Sequence, residues 1–398
     1  MWPGKMVKQL WIAVAAFATA FGTASALEPS DVLVYSIGPL TLRPQLEIAQ
    51  RFDNNLFYTS SNQTNDFITL ITPGINLSVG KPDHNFVSLA YGLESRFYFE
   101  NDHLNAINHS LAIKDQFQTA RVIVRGSDSI QMTSEILGRG LNYLSSRPIE
   151  RTVQDHRYTV AYVLSEKTGV YLDGSFGLTD YESGIPIYDY NTFKGTAGFE
   201  FKALAKTTLF GEFYYGQTAI NPNSPALQKG PHLEFMGAFI GAKGQFTPKL
   251  DGTVKAGYEL RQFSGATPVP GGIVVETSLD YNFNEQTSTS LSYRRNSYVS
   301  VESLGQSYVA DEVALRVLKT FGASGKWVAQ VGANYLAYEY DIAKRQDNLY
   351  TFNLGLAYKI QLWLTAGLNY EFEKFNSNLA AGQDYQVHRI TTKLAVGY

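Results

Sequence analysis

The feature that most constrains this chain is an alternation of apolar and polar residues, sustained over segments of about ten residues or more. Residues 349–360 place Tyr350, Phe352, Leu354, Leu356, Tyr358 and Ile360 on one parity. Residues 388–398 alternate in the same way. Because successive side chains of a strand point to opposite faces, this period of two predicts β-strands with one apolar face and one polar face.

Eighteen such segments can be counted between residues 41 and 398. Their length suits strands that cross a bilayer, which need about 9–11 residues, whereas strands of soluble proteins usually have about 5–6. Short turns such as 80–83 alternate with longer polar loops such as 134–154. The sequence predicts an all-β fold, a transmembrane antiparallel barrel of about 18 strands with short periplasmic turns and longer extracellular loops. One misread hairpin would make the count 16.

The alternative fold is a soluble β-sandwich, β-helix or propeller. The sequence has no internal repeat of about 20–50 residues, which disfavours the last two. The chain contains 26 Tyr, 24 Phe and 34 Gly. Tyrosine is enriched at the headgroup level of barrels and glycine eases strand curvature. A net charge of −3 does not indicate nucleic-acid binding, and the absence of cysteine excludes disulfides and thiolate metal sites.

Residues 1–26 have the pattern of a signal peptide. Lys5 and Lys8 supply positive charge, residues 10–21 form an apolar stretch, and Ala24-Ser25-Ala26 is a small-residue cleavage site. An uncleaved anchor or a buried helix is the alternative reading. The signal peptide predicts export from the cytoplasm of a Gram-negative-type bacterium.

The predicted organisation is a signal peptide, a periplasmic N-terminal segment over residues 27–40 and an outer-membrane barrel over residues 41–398. The last strand ends on the aromatic residue Tyr398. This ending is similar to the C-terminal signal that the outer-membrane assembly machinery reads, so Tyr398 is the predicted assembly signal. The cell outer membrane is the predicted location, with outer-membrane lipid and the assembly machinery as partners.

Many charged residues fall on the polar parity, which predicts a water-filled lumen because charge facing lipid would be costly. Two roles stay open for these residues: a selectivity lining, or internal salt bridges that brace the wall. The predicted pore-lining set is Arg43, Glu47, Arg51, Glu94, Arg96, Arg121, Arg125, Arg157, Glu212, Lys255, Glu259, Arg261, Arg294, Arg316, Glu371, Arg389 and Lys393.

The longest loop, residues 134–154, could fold into the mouth as a constriction or point outward. No histidine lies in a metal-binding motif. The run Asn108-His109-Ser110 is no catalytic triad, because neighbours on a strand point to opposite faces. The sequence therefore predicts no catalytic residue, no cofactor and no metal site.

Residues 42–80 carry a family resemblance. A first strand is followed by Asp53-Asn54-Asn55-Leu56-Phe57, and the next strand contains Ile71-Thr72-Pro73-Gly74-Ile75. This hairpin resembles the second putative β-barrel porin family, which includes barrels encoded in exopolysaccharide operons. The resemblance implies an outer-membrane barrel with a link to surface polysaccharide, and it supplies no catalytic residues.

The functional prediction is a porin-like channel for passive diffusion of small hydrophilic solutes. An accessory barrel for the export or surface attachment of exopolysaccharide is the alternative, and a barrel enzyme is a second and weaker one. The corresponding partners are small solutes or polysaccharide. A homo-oligomer stays open, since no contact signature for one is readable.

Overall fold

The computed structural model describes residues 33–81, 84–137, 147–224, 228, 230, 232–264, 269–300, 307–322, 325–340, 344–378 and 384–397. The predicted signal peptide, the first part of the predicted periplasmic segment and Tyr398 lie outside these residues. Among the described residues, no helix has the length and apolar character needed to cross a bilayer.

Strands account for almost all of the described structure, with one 3-10 turn at Asp102–Leu104. The strands are β1 Tyr35–Ile37, β2 Leu40–Asp53, β3 Asp66–Gly80, β4 Phe86–Tyr98, β5 Ala106–Gln118, β6 Val122–Glu135, β7 Ile149–Val163, β8 Thr168–Tyr181, β9 Tyr188–Lys202, β10 Thr207–Pro222, β11 Leu233–Thr247, β12 Leu250–Phe263, β13 Val269–Asn284, β14 Thr287–Val299, β15 Ser307–Phe321, β16 Trp327–Tyr340, β17 Gln346–Gln361, β18 Leu364–Ser377 and β19 Tyr385–Val396.

The strands β2 to β19 form one closed antiparallel barrel. Each pairs with the next along the chain, and β19 pairs back with β2 in a register that runs from Val396 opposite Leu46 to Arg389 opposite Asp53. The short β1 adds only a three-residue ladder against the start of β2. Closure gives every spanning strand two partners for its backbone groups, as a bilayer requires. The predicted count of eighteen strands is confirmed, and the alternative of sixteen is wrong.

The largest boundary difference lies at β6 and β7. The sequence predicts a loop from residue 134 to residue 154, but β6 continues to Glu135 and β7 begins at Ile149, which pairs with Glu135. The outward parity of this part of β7 holds Glu150, Thr152 and Gln154 instead of apolar residues. The apolar signal of a membrane strand is therefore missing there, although the backbone is paired.

The two faces of the wall differ as the alternation predicts. Large apolar side chains on the outward parity are well exposed, for example Ile240 at 76% and Leu172 at 66%. The opposite parity, which faces the lumen, carries the charged groups described below. The connections also alternate as predicted, which gives the barrel a short-turn end and a long-loop end. At the short-turn end, Gly80 has φ of +91°, and an added Cβ would lie 2.0 Å from the carbonyl oxygen of Asn85.

Two connections at the long-loop end fold back over the mouth. After β2, Leu56 packs with the inward-facing Ala49, Ile68 and Leu70. After β8, Ile185 packs with Ile149 and Leu137. Burial of these apolar side chains away from water stabilises both folded-back loops. The loop that was considered as a constriction is shortened to residues 136–148, and residues 138–146 lie outside the described part of the chain.

Candidate functional site in the barrel lumen

The interior of the barrel contains three adjoining cavities of about 630, 540 and 520 Å³. The first and second share Glu276, the first and third share Arg151, and the second and third share Glu371. Their linings join strands from opposite walls, such as Arg151 on β7 and Tyr338 on β16. The face that carries these residues therefore encloses the lumen.

The ladder registers allow each predicted pore-lining residue to be placed. All of them except Arg121 lie on strands, and all of those share the parity that lines the cavities. Arg121 lies in the short turn between β5 and β6. The third cavity brings Arg51, Arg96, Glu371 and Arg389 together. Their role in conduction stays a prediction.

Arg389 is the centre of an ion-pair network at the long-loop end of the lumen. Its guanidinium donates to Asp53 Oδ2 at 2.8 Å, to Glu371 Oε1 at 2.5 Å and to Glu373 Oε2 at 3.4 Å. It also donates to the hydroxyl of Tyr58 at 3.1 Å. The Arg389 side chain is 11% exposed and that of Glu373 is fully buried. Buried charges of this kind need partners, since an unpaired one is strongly destabilising.

A second network crosses the lumen wall from β8 to β13. Lys255 Nζ lies 3.3 Å from Glu212 Oε2 and 3.0 Å from Glu276 Oε2. The hydroxyl of Tyr171 donates to the other Glu212 oxygen at 2.5 Å. One lysine is thus held between two carboxylates, one on the adjacent β13 and the other on β10, two strands away. The charges compensate one another locally, and Lys255 and Glu276 also line the second cavity.

Several of the other predicted residues form smaller pairs. Arg96 donates to Glu94 at 2.5 Å and lies 3.3 Å from Glu135. Arg261 Nε is 3.6 Å from Glu259 and Arg294 is 3.9 Å from Glu312. Arg157 pairs with Asp173 at 2.7 Å and Lys393 with Glu47 at 2.8 Å. Arg125 donates to Gln116 at 2.9 Å. Exposed pairs like Lys393–Glu47 contribute only about 0–1 kcal/mol each.

Sequence reasoning missed Glu135 and Arg151, which it assigned to a loop. Arg151 Nη2 lies 3.3 Å from Glu135 Oε2, and both line the third cavity. Asp53 and Tyr58 were missed as well. The strand that carries Arg151 has a polar outward parity, and Tyr58 lies in a loop whose inward fold has no periodic signal.

A row of aromatic rings on the lumen side of β8 to β12 was also missed. Each ring lies over a glycine of a neighbouring strand: an added Cβ would meet the ring of Tyr171 at Gly198 at 2.1 Å, that of Phe235 at Gly216 at 2.3 Å, that of Tyr214 at Gly237 at 2.4 Å and that of Phe210 at Gly241 at 2.6 Å. The rings therefore lie against bare backbone and not across the lumen. They give one wall an aromatic lining without filling the interior.

The first cavity is rich in tyrosine. Its lining includes Tyr181, Tyr190, Tyr214, Tyr298, Tyr308, Tyr338 and Tyr340. Tyr308 contacts Tyr298, Tyr338 and Tyr340 with ring centroids 5.0–5.6 Å apart. Lys194 Nζ lies 4.2 Å from the centroid of Tyr214. This wall presents ring faces and hydroxyl groups, in contrast to the ion pairs of the third cavity.

The described residues contain no group of three or more His, Cys, Asp or Glu side chains arranged to hold a metal ion. Asn108 donates to Glu94 at 3.1 Å on the lumen face. His109 Nδ1 lies 2.8 Å from the hydroxyl of Tyr91 on the outward face. Ser110 returns to the lumen face and donates to the carbonyl of Gly92. These neighbours point to opposite sides of the wall, as the alternation predicts.

The chain was compared with known proteins. In structure it is similar to the outer membrane protein OpdK of Pseudomonas aeruginosa, with 11% identity, a TM-score of 0.46 and coverage of 90% of this chain and 99% of that one. It is also similar to OccAB3 of Acinetobacter baumannii, with 12% identity, a TM-score of 0.44 and coverage of 90% of this chain and 99% of that one. The siderophore receptor PirA of Pseudomonas aeruginosa is similar with 9% identity, a TM-score of 0.44 and coverage of 89% of this chain and 80% of that one.

None of the curated proteins matches in sequence. A family model described as putative beta-barrel porin 2 matches residues 236–398, which run from β11 to the end of the chain. This is the family predicted from residues 42–80, although the match lies in the other half of the barrel. Over residues 236–398, the chain is a match to the family of putative beta-barrel porin 2.

Proposed function

We propose that this chain is a porin-like channel of the outer membrane, through which small hydrophilic solutes diffuse passively. The observation that carries the proposal is the set of adjoining cavities inside a closed barrel of eighteen strands. Barrels of about 16–18 strands leave an aqueous channel, whereas barrels of about eight are filled by side chains. The family match over residues 236–398 supports the same function.

The charges on the lumen face support a wet interior. Lys255, with Glu212 and Glu276, faces the cavities on the same parity as the other ion pairs. Ionic side chains on this face are cheap only if water reaches them. Because both signs occur side by side, the lining favours solutes that are polar over those of one strong charge.

The mouth sets the size limit in this proposal. The inward-folded loop that carries Leu56 and Tyr58 narrows the long-loop end above the Arg389 network. The edge-to-face contact of Tyr58 with Tyr385, 5.1 Å between centroids, fixes that loop against the last strand. Solutes would pass beside this contact before they reach the wider cavities.

A blocking experiment tests the channel. The chain has no cysteine, so a single one can be introduced without background. Asn353 lines the second cavity, while its neighbour Leu354 is 48% exposed on the outward parity. In planar bilayers we expect open steps from the wild-type protein, and a loss of current when Asn353→Cys reacts with a bulky thiol reagent. The same reagent on Leu354→Cys is the control and should leave the current unchanged.

Two results would contradict the proposal. One is the absence of any open current from protein that migrates as a folded barrel. The other is an equal effect of the reagent on both cysteine variants, since that would show that the current does not pass through the lumen.

The accessory barrel for exopolysaccharide is the alternative proposal. It expects that deletion of the gene abolishes a surface polymer and leaves the uptake of small solutes unchanged. No contact among the described lumen residues favours it over the channel. The outer-membrane assembly machinery remains the proposed partner for insertion.

A further inference from the structure

The outward face formed by β5, β6 and β7 carries polar side chains at the depth of the acyl chains. Asp128 on β6 and His156 on β7 are ladder partners, and both lie on the parity opposite to the lumen residues Arg125 and Arg157. Asp128 lies about halfway along Val122–Glu135, and His156 halfway along Ile149–Val163. Both side chains therefore face outward near the middle of the spanning strands.

These side chains are held together by short contacts. His156 Nδ1 lies 2.6 Å from Asp128 Oδ1, and the hydroxyl of Tyr158 donates to Asp128 Oδ2 at 2.6 Å. Asp115 lies beside them over the bare backbone of Gly126, where an added Cβ would come within 2.2 Å of Asp115 Oδ1. The orientation of Asp128 is thus fixed, and a second acid lies next to it.

The polar character continues toward the long-loop end along β7. Its outward residues above His156 are Gln154, Thr152 and Glu150. The adjacent β8 has Val170, Leu172, Phe176 and Leu178 on its outward parity, which is the pattern that lipid favours. Ionisable residues inside a membrane are costly and usually face a partner or a cavity. The wall around β6 and β7 therefore lacks the apolar outward face that the neighbouring wall has.

We propose that this wall binds the same wall of a second copy of the chain, in a dimer whose two-fold axis runs along the membrane normal between β6 and β7. Both copies of a membrane protein keep the same orientation, so only an axis along the normal can relate them. Such an axis places β6 of one copy opposite β7 of the other. The interface is isologous, with the same residues contributed twice.

Charge complementarity indicates that the partner bound by this wall is a second copy of the chain. The axis brings the Asp128 carboxylate opposite the partner's His156, and the reverse contact forms at the same height. His156 uses Nδ1 for its own Asp128, while its Nε2 has only a 3.5 Å contact with Gln154. A carboxylate has about four acceptor positions, of which the structure uses two at Asp128. Each copy therefore offers the donor and the acceptor that the other needs.

A second outward ion pair provides a matched control. Arg295 on β14 pairs with Asp311 on β15, and Tyr293 donates to Asp311 at 2.8 Å. The chemistry is similar to that of Asp128, His156 and Tyr158, but the pair lies on the far side of the barrel. It lies near the long-loop ends of its strands, where charge is less costly.

Cross-linking in native membranes tests the interface. With a short bismaleimide, Gln154→Cys next to the axis should give a cross-linked dimer, and Leu354→Cys on the far wall should not. The double variant Asp128→Leu/His156→Leu should be a folded monomer in detergent, because it loses the complementary groups that join the two copies. Arg295→Leu/Asp311→Leu should remain a dimer, and the exchanged pair Asp128→His/His156→Asp should dimerise because complementarity is retained.

The proposal is overturned by a wild-type protein that has the mass of a monomer and retains lipid on this wall. It is also overturned by cross-linking as efficient at residue 354 as at residue 154, or by a dimer that persists in Asp128→Leu/His156→Leu. Migration that shifts on heating verifies that each variant is folded, so a loss of the dimer cannot be confused with a loss of the barrel. If the monomeric variant still carries channel current, the channel does not depend on the dimer, and the interface and the proposed function can each fail without the other.

Discussion

Arg389 and Asp53 form an ion pair of 2.8 Å across the seam where β19 meets β2. The two residues are 336 positions apart in the chain. Lys393 and Glu47 form a second pair across the same seam, and Arg51 donates to Thr391 there at 3.4 Å. Among the described residues, the seam ladder joins fewer residue pairs than the other ladders of the barrel, so these side chains add contacts where the backbone offers fewer.

We predict that Arg389→Ala destabilises the barrel by about 3–5 kcal/mol, because it removes the positive charge that compensates the buried carboxylates of Asp53 and Glu373. Unfolding in urea from lipid vesicles, followed by the fluorescence of Trp327 and Trp363, measures this. Lys393→Ala is the control, since its pair with Glu47 is 41% and 39% exposed and should cost about 0–1 kcal/mol. Equal effects of the two variants would contradict a special role for Arg389.

We predict that Lys255→Gln makes the channel more selective for cations. Its amine lies between Glu212 and Glu276, so the substitution leaves two carboxylates uncompensated in the lumen. The reversal potential in a salt gradient measures the change, and the added substitution Glu212→Gln should move it back. Lys319→Gln, on the outward parity of β15, should leave the potential unchanged. A shift of the same size in that control would argue against a lumen effect.

We predict that Gly198→Ala is destabilising by about 1–3 kcal/mol, because the new methyl group would overlap the ring of Tyr171. The displaced ring should also lower the single-channel conductance. Gly195→Ala on the same strand is the control, since nothing lies within 4 Å of the position of its Cβ. Loss of a strand glycine should there be neutral or stabilising by about 0.5–1 kcal/mol. Wild-type conductance in Gly198→Ala would show that the ring does not bound the pore.

We predict that removal of Tyr398 reduces the amount of barrel assembled in the outer membrane, because this aromatic residue continues the apolar parity of Ile390, Leu394 and Val396 in the sequence. Tyr398→Phe keeps that aromatic residue and should assemble normally. The fraction of protein that shifts on heating, measured in isolated outer membranes, gives the result. Normal assembly of the shortened chain would remove Tyr398 as a signal.

The strands were predictable because a period of two needs only the sequence. The prediction failed at the start of β7, where the polar residues Glu150, Thr152 and Gln154 take the outward positions. It also missed Phe210, Phe235 and Phe239 on the lumen side. Alternation assigns the apolar residues of a strand to the outward face, so it gives no signal for an aromatic ring that faces the lumen. Which charges pair depends on register between strands, and the Arg389 network joins residues from both ends of the chain.

The rings that lie over Gly198, Gly216, Gly237 and Gly241 have a consequence for how the bore of this pore can vary. At a fixed shear, a barrel changes its diameter by gaining or losing strands, and each such change requires a new hairpin. Here a side chain added at one of four positions would push a ring inward and reduce the clearance by a few ångströms. The permeability of the barrel can thus be adjusted by point substitution, while the number of strands stays constant.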